Sequence, residues 1–465
     1  MTGGTTARVI ALQKVSSPDY LRTVFAAWRE HAVIAPTDTP ETLTLPGMAV
    51  TDRVTVRPGG GWFDERIALD DDPAPAQISF TSGTTGTPKP VLLSRRALSD
   101  VTRRLNAIMA IDDTIREYVG VPVTFSFGLG RARAIAVAGG RAYLPPNGFR
   151  PDEFASMLAD GEVNALSAVP TLLRLLIQQR DLFVSCGAKL RWVEIGSQYM
   201  SADEKEAVRA MFPNARIVQH YGLTEASRST FLVVSETSGT ALESVGRPES
   251  PDAIRIDDEG RIVVRGPHVA DGIMTETGVT PFADADGWLT TSDLGAIDAD
   301  GYVYFKGRAD HLLNVSGIKV PAELFEQRLA EAHGDAHAIA VAGRRDPLRG
   351  EAVMVAHLAG VDAARLRERA RGIAAGFGLG AADVSLVEVP EIPRTETGKV
   401  RRQILTELYS DAAPTTSARP AVPAAGAALS PREEEIAAIW RDVRGVPHIG
   451  RNETFFELGG DSLSV

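Results

Sequence analysis

The sequence predicts an α/β fold with largely parallel sheets, and three observations carry that prediction. Short apolar runs alternate with amphipathic stretches through roughly the first three hundred residues, the pattern of strands joined by crossover helices. A length of 465 residues exceeds what one hydrophobic core serves, so two or three domains are expected. From Asp411 the composition turns to Ala, Pro, Thr and Gly, the mark of a flexible linker. The expected organisation is a large subdomain over 1–307 with sheets flanked by helices, a small mobile α+β subdomain over 308–410, a linker over 411–428 and an incomplete helical domain over 429–465.

The elements follow in order. Ser16-Ser17-Pro18 starts a helix, with a serine cap and proline in the first turn, and Leu21, Val24, Phe25 and Trp28 then share one face. Ser94 caps a second helix through about Ala110. Strands are expected at Tyr118 to Val123, Arg141 to Leu144, Ala165 to Ala168, Trp192 to Ile195 and Arg216 to Gln219. Ser430-Pro431-Arg432-Glu433 forms a capping box before the helical stripe Ile436, Ile439, Trp440 and Val443.

Bulk composition excludes several functions. A formal net charge of −11 argues against a sequence-independent grip on nucleic acid. Cys186 is the only cysteine, which excludes an internal disulfide and a cysteine-rich zinc site and suits a reducing cytoplasm. No stretch approaches the ~20 apolar residues of a membrane helix. The apolar run Val9 to Leu12 ends at Gln13-Lys14, too early for a secretory signal. His333 and His337, four apart with Gly334 between them and no third ligand, read as a surface pair.

Chemistry concentrates at a few motifs. Thr81-Ser82-Gly83-Thr84-Thr85-Gly86-Thr87-Pro88-Lys89-Pro90 lies between two apolar runs and so forms a loop between strands. Its glycines free the backbone, and its hydroxyls, amides and Lys89 make a wrapper for a polyphosphate. It is not a Walker loop, because Pro88 stands where that pattern needs glycine. A polar hairpin turn is the bland alternative. At these residues the chain resembles the adenylate-forming superfamily: acyl-CoA synthetases, luciferases and the adenylation domains of nonribosomal peptide synthetases. By that resemblance the early region is shortened, and Thr81, Ser82, Gly83, Thr84, Thr85, Gly86 and Lys89 hold the ATP phosphates.

Later motifs extend the resemblance. His220-Tyr221-Gly222-Leu223-Thr224-Glu225 matches Y-G-x-T-E, which implies adenine stacking by Tyr221, phosphate contact by Thr224 and a Mg2+ ligand in Glu225, an oxygen donor suited to a hard cation. The alternative is that Thr224 and Glu225 begin a helix. The resemblance adds Gly196, Ser197, His220, Gly222 and Phe305 to the nucleotide's surroundings. Thr291-Ser292-Asp293 is similar to T-G-D, with Asp293 implied to accept from the ribose hydroxyls. Gly307-Arg308-Ala309-Asp310 matches G-R-x-D, implying nucleotide contact by Arg308 and a hinge at Asp310. Gly317 resembles the position that passes an incoming pantetheine arm. Pro393-Arg394-Thr395-Glu396-Thr397-Gly398-Lys399 matches P-x-T-x-x-G-K, which makes Lys399 the catalytic lysine, together with Thr224 and Glu225. Gly459-Gly460-Asp461-Ser462-Leu463 resembles a carrier domain's phosphopantetheine site, with Ser462 the modified residue.

In peptide-synthetase adenylation domains an aspartate anchors the substrate's α-ammonium; the corresponding segment, Phe125-Ser126-Phe127, carries Ser126 instead. An ammonium without a carboxylate would be poorly compensated, so the expected acid has no α-amino group. The same alignment places Gly130, Ser167, Val193, Ile195, Arg228 and Ser229 around the acid, and Arg228 with His220 points to an anionic substituent. The resulting expectation is ATP- and Mg2+-dependent activation of a carboxylic acid as acyl-AMP, then transfer to the phosphopantetheine thiol of a carrier domain, in cis or in trans, in nonribosomal-peptide-type biosynthesis. Downstream biosynthetic domains are possible partners; nucleic acid and membrane are not. An acyl-CoA synthetase is the nearest alternative, and a non-catalytic nucleotide-binding module is the alternative of another class.

Overall fold

The computed structural model describes residues 8–81, 89–315, 317–333, 337–346, 350–395, 398–410 and a few positions between 432 and 438. The linker, Ser462 and most of the carrier-like region lie outside the described residues, as do residues 82–88 of the loop and Glu396 and Thr397. The chain divides into two units, Met1–Phe305 and Lys306–Val465.

In the first unit two seven-stranded sheets form, of which one runs Gly278–Pro281, Gly272–Thr275, Lys89–Ser94, Pro75–Thr81, Val33–Thr37, Val9–Gln13, Asp52–Val54. The other runs Thr230–Val233, Arg216–Tyr221, Trp192–Ile195, Ala165–Ala168, Arg116–Val119, Arg141–Leu144, Gly61–Phe63. Its middle is parallel, with Trp192–Ile195 in register against Ala165–Ala168 and Arg216–Gln219. Those strands carry Val, Ile, Leu and Trp at fully buried positions, as parallel strands covered on both faces require. The expected strand at Tyr118 to Val123 is shorter, Arg116–Val119, because Pro122 has no N–H to continue a ladder and Gly120 bonds instead to the Ser167 carbonyl. A four-stranded sheet runs Ile254–Ile256, Arg261–Arg265, Trp288–Ile297 and Val303–Arg308, the first three pairing antiparallel.

Helices form where the caps predict. Ser17 accepts from the Tyr20 N–H at the start of Pro18–Arg29, which buries Leu21, Val24, Phe25 and Trp28, and the Trp28 indole donates to the Ala76 carbonyl at 3.0 Å. Ser94 caps Arg95–Met109 through the Ala97 N–H. Helix Ser126–Ala138 is different: it is buried nearly all round, and Phe125 at its start offers no side-chain cap.

The second unit is a five-stranded sheet with helices Ala322–His333 and Ala363–Gly376 contributing Phe325, Leu329, Leu366, Ala370 and Ala374 to its core. His333 ends the first of these helices, and His337 lies beyond it, before strand Ile339–Asp346.

Candidate active site

Strands Pro75–Thr81 and Lys89–Ser94 pair antiparallel, with Thr81 opposite Lys89, so the Gly/Ser/Thr segment is the connection of a two-stranded hairpin. Ser82, Gly83, Thr84, Thr85 and Gly86 lie outside the described residues; Thr81 and Lys89 stand at its two feet.

The carboxyl ends of the central parallel strands gather the next group, as open α/β sheets do. Strand Arg216–Tyr221 delivers His220 and Tyr221. The Tyr221 hydroxyl donates to Asp293 Oδ2 at 2.7 Å, and the Tyr221 ring lies 6.3 Å from that of Phe305. Three residues assigned to the nucleotide from distant parts of the sequence are therefore neighbours. Asp293 is almost fully buried, and its own N–H donates to Thr291 Oγ1. No helix begins at Thr224: residues 222–229 are irregular, and Ala226 bridges Val269. Gly222 is required there, because a Cβ would meet the Arg228 backbone nitrogen at 2.3 Å. Glu225 is half-buried and, among the described residues, its carboxylate has no side-chain partner. One such carboxylate beside the Thr224 hydroxyl fits Mg2+, which takes one or two carboxylates and completes its shell with phosphate and water.

At the end of strand Trp192–Ile195, Gly196 leaves space that the His220 ring fills; a Cβ would come within 2.2 Å of it. Ser197 has φ 77° and Arg228 φ 55°, left-handed values uncommon for residues with a side chain.

The acid-pocket residues divide sharply. Phe125, Ser126, Phe127 and Gly130 occupy the start of helix Ser126–Ala138, whose uncapped N–H groups favour negative charge. Val193 and Ile195 correct the expectation. Side chains alternate along a strand, and these two pack into the core with Leu166, Leu173, Met200 and Val208. Glu194 between them faces the helix, in register with Ser167 on the adjacent strand. Arg228 is likewise not available to an anionic substituent. It is 1% exposed, its Nε donates to Glu194 Oε1 at 2.9 Å, and its guanidinium covers Gly130. His220 Nδ1 lies 2.7 Å from the same carboxylate oxygen, and its ring meets Phe127 edge-on. Ser229 Oγ donates to the Ala226 carbonyl and lies 3.1 Å from His268 Nε2.

Sequence reasoning missed the group that organises this region. Arg131, fully buried on helix Ser126–Ala138, donates to Glu117 at 2.8 Å and to Glu194 at 2.7 Å and stacks over the Trp192 ring. Two carboxylates and two guanidiniums thus balance in the interior. Burial works against ionised Glu194, but the charges of Arg228 and Arg131 outweigh it and hold its carboxyl well below the usual range. Burial raises Glu117 against the pull of Arg131. Burial also lowers His220, leaving it neutral in spite of Glu194. The only sequence signal was a charged residue inside each of two short apolar strands, at Glu117 and Glu194.

In the second unit Arg308, expected at the nucleotide, forks onto Asp310, with Nε to Oδ1 at 2.8 Å and Nη2 to Oδ2 at 2.7 Å. Gly317 sits in the turn between strands Leu312–Val315 and Ile318–Pro321 with φ 87° and open space around it, so glycine is demanded by the backbone rather than by a neighbour. Lys399 lies in a tight turn, its N–H donating to Thr395 Oγ1 and its carbonyl accepting from the Thr395 N–H.

Residues 6–274 match the model of a family described as AMP-binding enzyme. The chain belongs to this family of adenylate-forming enzymes. It is 30% identical, over 78% of its length and 75% of the relative's, to 3-[(3aS,4S,7aS)-7a-methyl-1,5-dioxo-octahydro-1H-inden-4-yl]propanoyl:CoA ligase of Mycobacterium tuberculosis. It is 26% identical over 84% of its length to tyrocidine synthase 2 of Brevibacillus parabrevis, of which the match covers 11%. The fold is that of ATP-bound MatB from Rhodopseudomonas palustris, with a TM-score of 0.71 at 22% identity over 88% of this chain and 90% of that one. As an AMP-binding enzyme the protein is an AMP-forming ligase that uses ATP to activate a carboxylic acid. Among the described residues no helix is long and apolar enough to cross a membrane.

Proposed function

We propose that the acid is not an ordinary α-amino acid and that its acyl group passes from AMP to the phosphopantetheine thiol of a carrier domain, in cis or in trans, with Ser462 the attachment residue where the carrier region of this chain is complete. The observation that carries the first part is the state of the buried carboxylates packed against helix Ser126–Ala138. Glu117 and Glu194 are both held by buried arginines, so among the described residues neither is left for an ammonium. The helix start at Ser126 favours an anion instead.

In this reading a carboxylate oxygen of the acid attacks the α-phosphorus of ATP, the bond to the bridging oxygen breaks, and pyrophosphate leaves. The segment from Thr81 to Lys89 grips the leaving phosphates. Thr224 contacts the phosphates, and Glu225 would hold Mg2+, which would neutralise phosphate charge. Tyr221 and Asp293 fix the nucleoside, and Lys399 stabilises charge at the reacting carboxylate and α-phosphate. In the second step the thiol sulfur attacks the acyl carbon, a thioester forms and AMP departs. Asp310 is the assigned hinge between the steps, and Gly317 the residue beside the pantetheine arm.

Transfer to a carrier rests on Gly459-Gly460-Asp461-Ser462-Leu463 and on the likeness to tyrocidine synthase 2. Transfer to CoA is the second reading, favoured by the likeness to a CoA ligase. Pyrophosphate exchange across aryl, hydroxy, dicarboxylic and amino acids tests the activation step. A clear preference for an ordinary α-amino acid overturns the reading of Ser126. Incubation with a phosphopantetheinyl transferase and CoA, followed by ATP and the preferred acid, distinguishes the acceptors. A covalent acyl-pantetheine adduct on Ser462 supports the carrier, and acyl-CoA without an adduct supports CoA.

A further inference from the structure

Helix Ser126–Ala138 carries two buried arginines with opposite fates. Arg131 is enclosed by two carboxylates. Arg133, 4% exposed, has none: among the described residues its one hydrogen bond runs from Nε to Thr102 Oγ1 at 2.7 Å, and its guanidinium carbon lies 5.9 Å from the Trp28 ring centroid. Buried guanidiniums are ordinarily matched by an acid, because an unmatched charge loses its hydration without compensation. Burial, with the like charge of Arg228, pushes Arg133 down to about 9.

Arg133 faces a cavity of about 20 Å³, room for roughly one water molecule. Ser126 and Thr224 line the same cavity, with Ser227, His268 and Gln77. Gln77 Oε1 is buried without a hydrogen-bond partner, while its amide donates to Ser79 at 2.8 Å. An unmatched cation and an unmatched acceptor therefore line one small cavity whose walls are otherwise largely aliphatic, beside Ser126, the residue assigned to the reacting acid. His268 adds no second positive charge, since burial and the nearby Arg104 push it down to about 4 and keep it neutral at pH 7. Arg133 stands seven residues after Ser126, about 10 Å along the helix, and its side chain leans back toward the helix start. Ser126 and Arg133 line the same small cavity, so a short acid would reach both.

We propose that Arg133 determines specificity by receiving a second, anionic group on the acid, so that the preferred substrates are short acids bearing a distal carboxylate or sulfonate. The proposal rests on the reading of Ser126 as part of the acid's surroundings and of Thr224 as a neighbour of the phosphates. It transfers to Arg133 the part that sequence reasoning gave to Arg228, whose guanidinium is already held by Glu194.

The test compares pyrophosphate exchange with succinate, glutarate and 3-sulfopropanoate against butanoate and pentanoate, in the full chain and in the variants Arg133→Met and Arg133→Lys. The wild type is expected to favour at least one dianionic acid by about 30-fold in kcat/KM, in line with a charge-assisted hydrogen bond. Arg133→Met should remove most of that preference and lower the monocarboxylate rates far less, while Arg133→Lys keeps an intermediate preference. Wild-type preference for the monocarboxylates, or an equal loss for both series in Arg133→Met, overturns the proposal and leaves acid activation standing. Calorimetric titration with succinate and glutarate separates the two readings. Binding that needs Arg133, without exchange, supports the anion site and counts against acid activation. Absence of both exchange and Arg133-dependent binding overturns the proposal.

Discussion

Asp293 and Tyr221 are 72 positions apart and share a 2.7 Å hydrogen bond, which gives the carboxylate a fixed orientation before any ligand arrives. A carboxylate held this way is a strong acceptor for a diol, and each charge-assisted hydrogen bond it makes contributes about 1.5–3 kcal/mol. Asp293→Ala is accordingly expected to raise KM for ATP by about 10- to 100-fold in pyrophosphate exchange, with a smaller change in kcat. A KM within twofold of wild type would remove Asp293 from the nucleotide's surroundings. Lys399 acts, in the proposed mechanism, on one half-reaction only. Its replacement by alanine should lower pyrophosphate exchange by at least about 100-fold and spare thiolation of supplied acyl-adenylate. Equal loss in both assays would count against the assignment.

Among the elements, helix Ser126–Ala138 decides most. It crosses the parallel sheet with Arg131 pointing at Glu117 and Glu194, and Gly128 lets it approach the Pro122 carbonyl, where a Cβ would sit at 2.2 Å. Glu194 is shared by Arg131, Arg228 and His220, so it joins the helix, strand Trp192–Ile195 and the loop after Tyr221. Removing its charge leaves two buried guanidiniums facing one remaining carboxylate. Glu194→Gln should therefore destabilise the protein by about 3–5 kcal/mol in urea unfolding, the cost of breaking a buried ion pair from one side. A loss under about 1 kcal/mol would show that the cluster is solvated or rearranges freely. These contacts were not legible in the sequence, because a glutamate in an apolar strand says that a partner is needed but not which arginine supplies it.

For the whole molecule, pH exposes the interior charges. His268 is held near 4 in the folded protein against an ordinary value of about 6.5, so between those values the unfolded chain binds a proton that the folded chain refuses. Stability must fall as pH drops through that window, by about 3 kcal/mol for this residue. His220, also lowered by burial, acts in the same direction. Glu194 adds a later loss: its lowered value contributes stability above the ordinary carboxylate range, which disappears as pH falls below it. Urea midpoints should decline as pH falls from 7.5 to 5, against the opposing contribution of Glu117, which burial raises, and His268→Gln should flatten the part between about 6.5 and 5. An unchanged slope in that variant would sink the assignment.

The sequence by itself determined the α/β class, the caps of two early helices, the hairpin around the Gly/Ser/Thr segment and the order of motifs that marks an adenylate-forming enzyme. Each of these is local: a capping serine, a period of apolar residues or a run of glycines carries its meaning within a few positions. The acid pocket was another matter. Alternation along one strand put Glu194, not Val193 or Ile195, toward the helix, and pairing across the sheet left Arg228 matched and Arg133 without a carboxylate. Which buried charge finds a partner depends on segments a hundred residues apart arriving at one place, and only the tertiary structure decides that.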